Sequence, residues 1–258
     1  MSFTHENFAQ VLSKYQYNFH TGDIIAGSVF SKECGGFLVD IGNHTAGYLP
    51  EAELFLAEVS YENINLNETR EFFILAYNSE SRQLILSLKR LRYIRAWERI
   101  KQLRDEDIII KTHVKGVNKG GIIIEIEEIQ GFIPNSHLGY SNMRKNNIIY
   151  TSIECKFLIA DEQSNKLILS NRCAIIEGLT NKIKIGSMIS ADVIGITTFG
   201  VFFDVYNVPA LLHRSEISEE YNQNMQKFFP TGKRWLIKVM HIDTKQGRIS
   251  VSIHNNSK

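Results

Sequence analysis

One short pattern occurs three times along this chain of 258 residues. Each copy has a run of alternating apolar residues beside a glycine, a second short apolar run, and a closing apolar strand about 35 residues later. The first runs are Gly35–Ile41, Gly120–Ile126 and Phe199–Val205; the second are Gly47–Pro50, Gly131–Pro134 and Ala210–His213; the closing strands are Leu84–Ser87, Leu167–Ser170 and Ile249–Ser252. Because this spacing is far longer than a solenoid repeat, each copy is expected to close its own core, like beads on a string.

Each copy lies within five strand-like runs separated by turn residues, with a longer polar connection after the third run. This pattern predicts an antiparallel barrel of the OB-fold type, which binds oligonucleotides and oligosaccharides. The expected fold is therefore all-β with short helices, in three tandem five-stranded barrels. The predicted boundaries are a lead-in at 1–21, a barrel at 22–90, a linker helix at 91–105, a barrel at 106–172, a linker at 173–184 and a barrel at 185–254.

The predicted linker helix carries an apolar residue at every third position, with basic residues between them. The apolar positions are Leu91, Ile94, Trp97, Ile100 and Leu103. This spacing indicates a helix that packs its apolar side against a barrel. An alternative is that its arginines also contact phosphate.

Composition limits the partners that the chain is expected to bind. A formal net charge of +1 means that any affinity for nucleic acid must come from local patches and stacking. The three cysteines form no CxxC pair, which indicates reduced thiols. Neither a targeting leader nor a bilayer-spanning apolar segment is recognisable, so no membrane partner is expected.

The third copy carries the candidate binding residues. Val201, Phe203 and Val205 should face the core, so Phe202 points out of the barrel, with Phe199 beside it. An outward aromatic ring is typical of a surface on which bases stack. The predicted RNA-binding residues are Phe199, Phe202, His213, Asp243, Lys245 and Arg248. Asp243 either holds Arg248 in place or accepts a hydrogen bond from RNA; the alternative is that both Phe pack under a loop and that Asp243 and Arg248 form a surface pair.

The first two copies differ from the third at these positions. Leu38 and Ile123 replace Phe202, glycines replace Phe199, and prolines replace His213. These faces lack both aromatic residues and the histidine, and their outward aliphatic residues suit protein contact at least as well as a base. The third barrel is therefore expected to bind RNA while the other two dock or assist. The predicted secondary RNA or docking residues are Leu38, Lys119, Ile123, Lys166 and Arg172. The charged members are alternatively ordinary solvated side chains.

The third copy resembles the RNA-binding barrel named after ribosomal protein S-one, in the segments Gly200–Val205, Ala210–Ile217 and Gln246–Ser252. The whole chain, from about Gly22 to Ile253, is similar to the short three-barrel form of that family found in cyanobacteria and chloroplasts. The segments Arg95–Arg99, Gly131–His137 and Leu167–Arg172 carry this second resemblance.

The resemblance implies a component of the small ribosomal subunit that captures single-stranded mRNA and promotes translation initiation. It implies that two Phe, a His, an Asp and an Arg bind RNA, which correspond here to Phe199, Phe202, His213, Asp243 and Arg248. The implied partners are mRNA, ribosomal RNA and the neighbouring protein S-two, with no cofactor, metal or small-molecule substrate. The implied location is the chloroplast stroma for a plastid-encoded protein, or alternatively the cytoplasm of a cyanobacterium.

Two other functions compete with this one. A nuclease would need clustered carboxylates that hold metal ions, and the sequence has no such cluster at strand ends and no HExxH motif. The chain is therefore not expected to be an enzyme. A non-ribosomal RNA-binding factor in transcription or RNA turnover stays open, because one fold serves many functions.

Overall fold

The computed structural model describes residues 19–42, 45–54, 64–80, 83–143 and 148–253. Most of the predicted lead-in, residues 1–18, lies outside the described residues. The described residues form fifteen strands: β1 (Ile24–Glu33), β2 (Gly36–Asp40), β3 (Gly47–Pro50), β4 (Thr69–Asn78), β5 (Gln83–Ser87), β6 (Ile110–Val117), β7 (Gly121–Ile126), β8 (Ile129–Pro134), β9 (Ser152–Asp161), β10 (Lys166–Ser170), β11 (Met188–Thr197), β12 (Gly200–Val205), β13 (Val208–His213), β14 (Arg234–Asp243) and β15 (Arg248–Ile253).

These strands form three closed barrels with the same strand order. In each barrel the first strand pairs with the second and fourth, and the fifth strand joins the third to the fourth. All pairings are antiparallel except that between the third and fifth strands, which is parallel. A bulge interrupts the first strand of every barrel, as between Val193 and Gly195. Such bulges increase the local twist that a small barrel needs in order to close.

The repeated glycine has the same physical role in the three barrels. A Cβ atom built on Gly36, Gly121 or Gly200 would lie 2.5, 2.1 or 2.0 Å from a carbonyl oxygen of the adjacent third strand. No side chain fits there, so the second strand can approach the third only through glycine. The glycine is therefore repeated because close packing of the second strand against the third requires it in each barrel.

The alternating residues of the second strand fill the cores as predicted. Val201, Phe203 and Val205 are completely buried in the third barrel, where the Phe203 ring meets the Phe229 ring edge-on. Val39 and Ile124 are equally buried in the first and second barrels. Alternation in a strand thus separates the core side from the outer side, as expected for period-two side chains.

The helices are α1 (Leu88–Asp105), α2 (Tyr140–Met143), α3 (Asn171–Leu179), α4 (Glu219–Gln223) and α5 (Met225–Phe228). Helix α1 begins three residues before the predicted linker helix and buries Leu91, Trp97 and Ile100. Several of its basic side chains have protein partners: Arg95 pairs with Glu71, Lys101 with Glu162 at 2.7 Å, and Arg104 donates to the Ala160 carbonyl at 2.9 Å. These contacts favour the packing role over phosphate contact.

Helix α3 lies where no helix is expected from the sequence. The Ser170 side chain starts it by accepting a hydrogen bond from the Cys173 N–H at 3.1 Å, a standard N-cap. Its Ile176 side chain is buried in the core cluster of the third barrel. The second linker is therefore a packed element.

The chain divides into two compact units, residues 1–98 and 99–258. The first unit contains the first barrel, and the second unit contains both remaining barrels. This differs from the picture of three separate beads, because α3 follows the last strand of the second barrel and packs on the third. Apolar burial along a connecting helix is sufficient to join two small barrels into one unit.

Candidate nucleic-acid interface

The outer face of the third barrel is assembled from β12, β13 and β15. Strand register places Phe202 opposite Leu211, and Leu211 beside Ser250. Gly200 lies opposite His213 at one end of this face, while Arg248 begins β15 towards the other end. At about 3.3 Å per residue, roughly 13 Å along the strands separates the level of Arg248 from that of His213.

Phe199 and Phe202 provide two aromatic rings on this face. Phe199 is 52% exposed, Phe202 is half-buried, and the ring centroids lie 6.2 Å apart at an angle of 89°. An edge-to-face pair of this kind holds both rings in fixed orientations. The exposed Phe199 ring contradicts the alternative that both aromatic side chains are covered by a loop.

His213 ends β13 and caps the short 3-10 turn that follows. Its Nδ1 atom accepts a hydrogen bond from the Ser215 N–H at 3.2 Å and lies 2.8 Å from the Ser215 hydroxyl. Because Nδ1 accepts, the proton of the neutral ring is on Nε2. The exposed imidazole thus offers an N–H donor and a flat face.

The turn between β14 and β15 is organised by Asp243. Its Oδ1 atom accepts hydrogen bonds from the Lys245 N–H at 3.0 Å and the Gln246 N–H at 2.9 Å. Within the described residues there is no ion pair between Asp243 and Arg248, which is evidence against the first of the two roles expected for Asp243 and against a surface pair. The acid shapes the turn, as Asp side chains commonly do. Lys245 and Arg248 are exposed around it.

The outer faces of the first two barrels are not purely aliphatic, and the prediction is corrected here. Register pairs Leu38 with Tyr48, and Ile123 with Phe132, each at the level that Phe202 and Leu211 occupy in the third barrel. The aromatic ring has thus moved from the second strand to the third. A signal was present in the sequence, because Tyr48 and Phe132 both follow the glycine of their second apolar run.

A groove of about 340 Å³ runs over this face of the second barrel. Ile123, Phe132 and Ile168 form its floor across β7, β8 and β10, and Lys166 and Asn118 are among its polar residues. Lys119 lies in the adjoining β6–β7 turn, where its carbonyl accepts a hydrogen bond from the Asn135 amide at 2.9 Å. Ile123 and Lys166 therefore line one groove, and Lys119 lies in the turn beside Asn118.

Arg172 does not belong to this groove. It lies in the first turn of α3, where its Nε donates to the Leu138 carbonyl at 2.8 Å. Beside it, His137 places Nδ1 3.0 Å from the Ser170 hydroxyl. Burial, followed by the charges of Arg172 and Arg248, lowers the pKa of His137 below its usual value, which keeps the ring neutral near pH 7.

No group of three or more His, Cys, Asp or Glu side chains among the described residues is placed to hold a metal ion. No helix there is long and apolar enough to cross a membrane.

Comparisons with known proteins agree with this architecture. The family model described as "S1 RNA binding domain" matches residues 18–89 and 182–254, more than half of the chain. These ranges hold the first and third barrels; the second has the same strand order.

Several relatives that match over nearly the whole of this chain are named as small ribosomal subunit proteins. Over 98% of this chain and 96% of its own length, "Small ribosomal subunit protein bS1c" of Porphyra purpurea is 45% identical. "Small ribosomal subunit protein bS1A" of Synechocystis sp. is 41% identical over 98% of this chain and 77% of its own length. The protein named bS1c in Spinacia oleracea is 32% identical over 98% of this chain and 62% of its own length.

Proposed function

Because this chain belongs to the bS1 family of small ribosomal subunit proteins, we propose that it binds single-stranded mRNA through its third barrel and promotes translation initiation. The observation that carries the proposal is the pair of outward rings, Phe199 and Phe202, on the face of an RNA-binding barrel. Stacking of a base on an aromatic ring contributes about 1–3 kcal/mol and tolerates any base. Such a face suits a protein that must accept many different messages.

Polar groups at both ends of the face complement the rings. His213 supplies an Nε2–H donor at one end, and Arg248 supplies a guanidinium at the other. Arginine binds phosphate through two parallel hydrogen bonds, which positions the strand without selecting its sequence. In this proposal Lys245 adds a further charge near phosphate, and Asp243 acts by shaping the turn.

The first two barrels have a docking or assisting role in this proposal. The faces around Leu38 with Tyr48 and around Ile123 with Phe132 are apolar strips with one aromatic ring each. Strips of this kind suit protein or ribosomal RNA contact on the small subunit, where protein S-two is the proposed neighbour. The role is binding and not catalysis, and no cofactor or small-molecule substrate enters it.

The relatives also set the proposed location. A red algal bS1c protein and a cyanobacterial bS1A protein are both above 40% identical to this chain. We place the protein in the chloroplast stroma, as the product of a plastid gene, with the cyanobacterial cytoplasm as the alternative.

Cosedimentation with small ribosomal subunits tests the ribosomal part of the proposal. The protein is expected to pellet with small subunits at low salt and to be released as salt is raised, since phosphate contacts release counterions. A protein that remains in the supernatant at every salt concentration, while still binding free RNA, would instead be a non-ribosomal factor in transcription or RNA turnover.

The division of labour is tested with two fragments, residues 1–105 and residues 88–258, each of which keeps α1 whole. The fragment of residues 88–258 is expected to bind single-stranded RNA at nearly the affinity of the whole chain, because it retains Phe199, Phe202 and Arg248. The fragment of residues 1–105 is expected to bind at least tenfold more weakly. Filter binding measures both, and equal affinities would contradict the assignment of RNA binding to the third barrel.

A further inference from the structure

The second and third barrels meet at a defined junction within residues 99–258. The first turn of α3 packs on the β14–β15 turn: the Cys173 thiol donates to the Lys245 carbonyl at 3.3 Å. A Cβ atom on Gly247 would lie 2.9 Å from the Cβ of Arg172. On the other side, the Tyr140 N–H donates to the Asn207 carbonyl at 2.8 Å. These contacts hold the two barrels in one arrangement.

This junction brings two arginines together. Arg172 is half-buried and anchored through Nε to Leu138, which leaves its two Nη groups for another partner. Arg248 is exposed and follows Gly247, the residue at which a Cβ atom would meet the Cβ of Arg172. Within the described residues neither guanidinium forms an ion pair with a carboxylate. Asp243 lies opposite Arg248 in the β14–β15 register, and its Oδ1 atom accepts hydrogen bonds from two backbone N–H groups of the turn.

Two like charges at one junction repel each other, and a bound anion relieves that repulsion. Burial, as the larger cause, and the charge of Arg248 both lower the pKa of Arg172. This is the direction expected for a cation at a partly buried site near another cation. The neutral His137 ring lies next to them and adds no third charge. The arrangement therefore favours a ligand that carries negative charge.

The pair also lies between the outer faces of the two barrels. In the third barrel, Arg248 marks the end of the face that is remote from His213. In the second barrel, Ser170 ends β10 and contacts His137. His137 follows β8, so this contact lies at the Pro134 end of the groove over Phe132. A single-stranded RNA that leaves the face of the third barrel at this end meets Arg172 before it reaches the groove of the second barrel.

We propose that Arg172 and Arg248 together bind one phosphate of a single-stranded RNA that passes from the face of the third barrel to the groove of the second. The proposal rests on the proposed function, because the third barrel must first hold the strand. Two guanidinium groups match the oxygens of one phosphate and are relieved of mutual repulsion by it. The second and third barrels then act as one continuous RNA-binding surface.

The test compares the full chain with Arg172→Gln, using oligouridine of about 4 nucleotides, the smallest site of one OB-fold, and of about 12 nucleotides. Fluorescence anisotropy measures affinity over a range of salt concentrations. The longer RNA is expected to bind about tenfold more weakly to the variant than to the original protein. The loss of affinity for the shorter RNA is expected to be at least fivefold smaller than that. The slope of log K against log salt for the longer RNA is expected to fall in magnitude by about 0.7.

The Arg172→Lys variant tests the role of the charge apart from the hydrogen bond that Arg172 Nε donates to the Leu138 carbonyl. The lysine variant keeps the charge and is expected to retain the original salt slope, whereas a purely structural role would make it as weak as Arg172→Gln. Lys184→Gln, which removes an exposed charge beyond the far end of α3, is the control and is expected to bind like the original protein.

Three results would overturn the inference. The first is an Arg172→Gln variant with the original affinity and slope, and the second is a lysine variant as weak as the glutamine variant. The third is failure of the unsubstituted protein to bind either RNA, which also ends the proposed function. Only the third result is obtained with the unsubstituted protein, so it distinguishes failure of the proposed function from failure of this inference.

Discussion

Replacing Phe199 and Phe202 together with alanine is expected to weaken single-stranded RNA binding by about 2–4 kcal/mol, roughly 30-fold to 900-fold in the dissociation constant. Each ring stacks one base in the proposed complex, and the two rings hold each other edge-on with centroids 6.2 Å apart. Neither side chain belongs to the buried core of the third barrel. The loss should therefore appear in affinity with little change in stability.

Filter binding with oligouridine measures this loss, and thermal unfolding checks that the barrel is intact. Phe30→Ala is a matched control, because Phe30 is an aromatic residue of similar exposure, 46%, on the first barrel. Its substitution is expected to leave RNA affinity unchanged. Unchanged affinity in the double variant would show that the two rings do not contact RNA.

Replacing Gly200 with alanine is expected to destabilise the third barrel by about 3 kcal/mol or more. The added Cβ would lie 2.0 Å from the Leu212 carbonyl oxygen, and the φ angle of 154° is one that alanine rarely adopts. Relief requires β12 to separate from β13, which breaks their pairing beside Phe202. Because Gly200 lies between the two stacking residues, RNA affinity is expected to fall with the stability.

Native-state hydrogen exchange locates this effect. Amides of β12 and β13 are expected to exchange at least about 150-fold faster in Gly200→Ala, while those of the first barrel exchange as before. Gly195→Ala is the control: it lies in the neighbouring strand β11, and its Cβ would meet no atom within 4 Å. That substitution is expected to change stability by less than about 1 kcal/mol. Equal effects of the two substitutions would mean that close approach of β12 and β13 is not what selects glycine.

The fold was predictable because it depends on short-range patterns that occur three times. Alternation in Val201, Phe203 and Val205 separates core from surface, and this separation is confirmed by their burial. The outward position of Phe199 and Phe202 follows from the same alternation. Helix α1 was predicted from its apolar spacing, although it begins three residues earlier at Leu88.

The errors concern features that depend on register or on contacts between barrels. The outward rings of Tyr48 and Phe132 are not predicted by comparing the second strands position by position, because that comparison shows only Leu38 and Ile123. Pairing with the third strand places the rings beside these residues. Of the two roles expected for Asp243, holding Arg248 is not observed, because its Oδ1 atom accepts hydrogen bonds from two backbone N–H groups of the turn instead.

The amino-acid sequence by itself determined the three barrels, their core faces and the identity of the candidate RNA-binding residues. The barrels and their core faces follow from side-chain periodicity within single strands, and the candidate residues from their positions in the repeat and from the family resemblance. Only the tertiary structure decided that the second and third barrels form one unit and that Arg172 lies beside Arg248. The two arginines are 76 positions apart in the sequence, and only the packing of α3 against the β14–β15 turn brings them together.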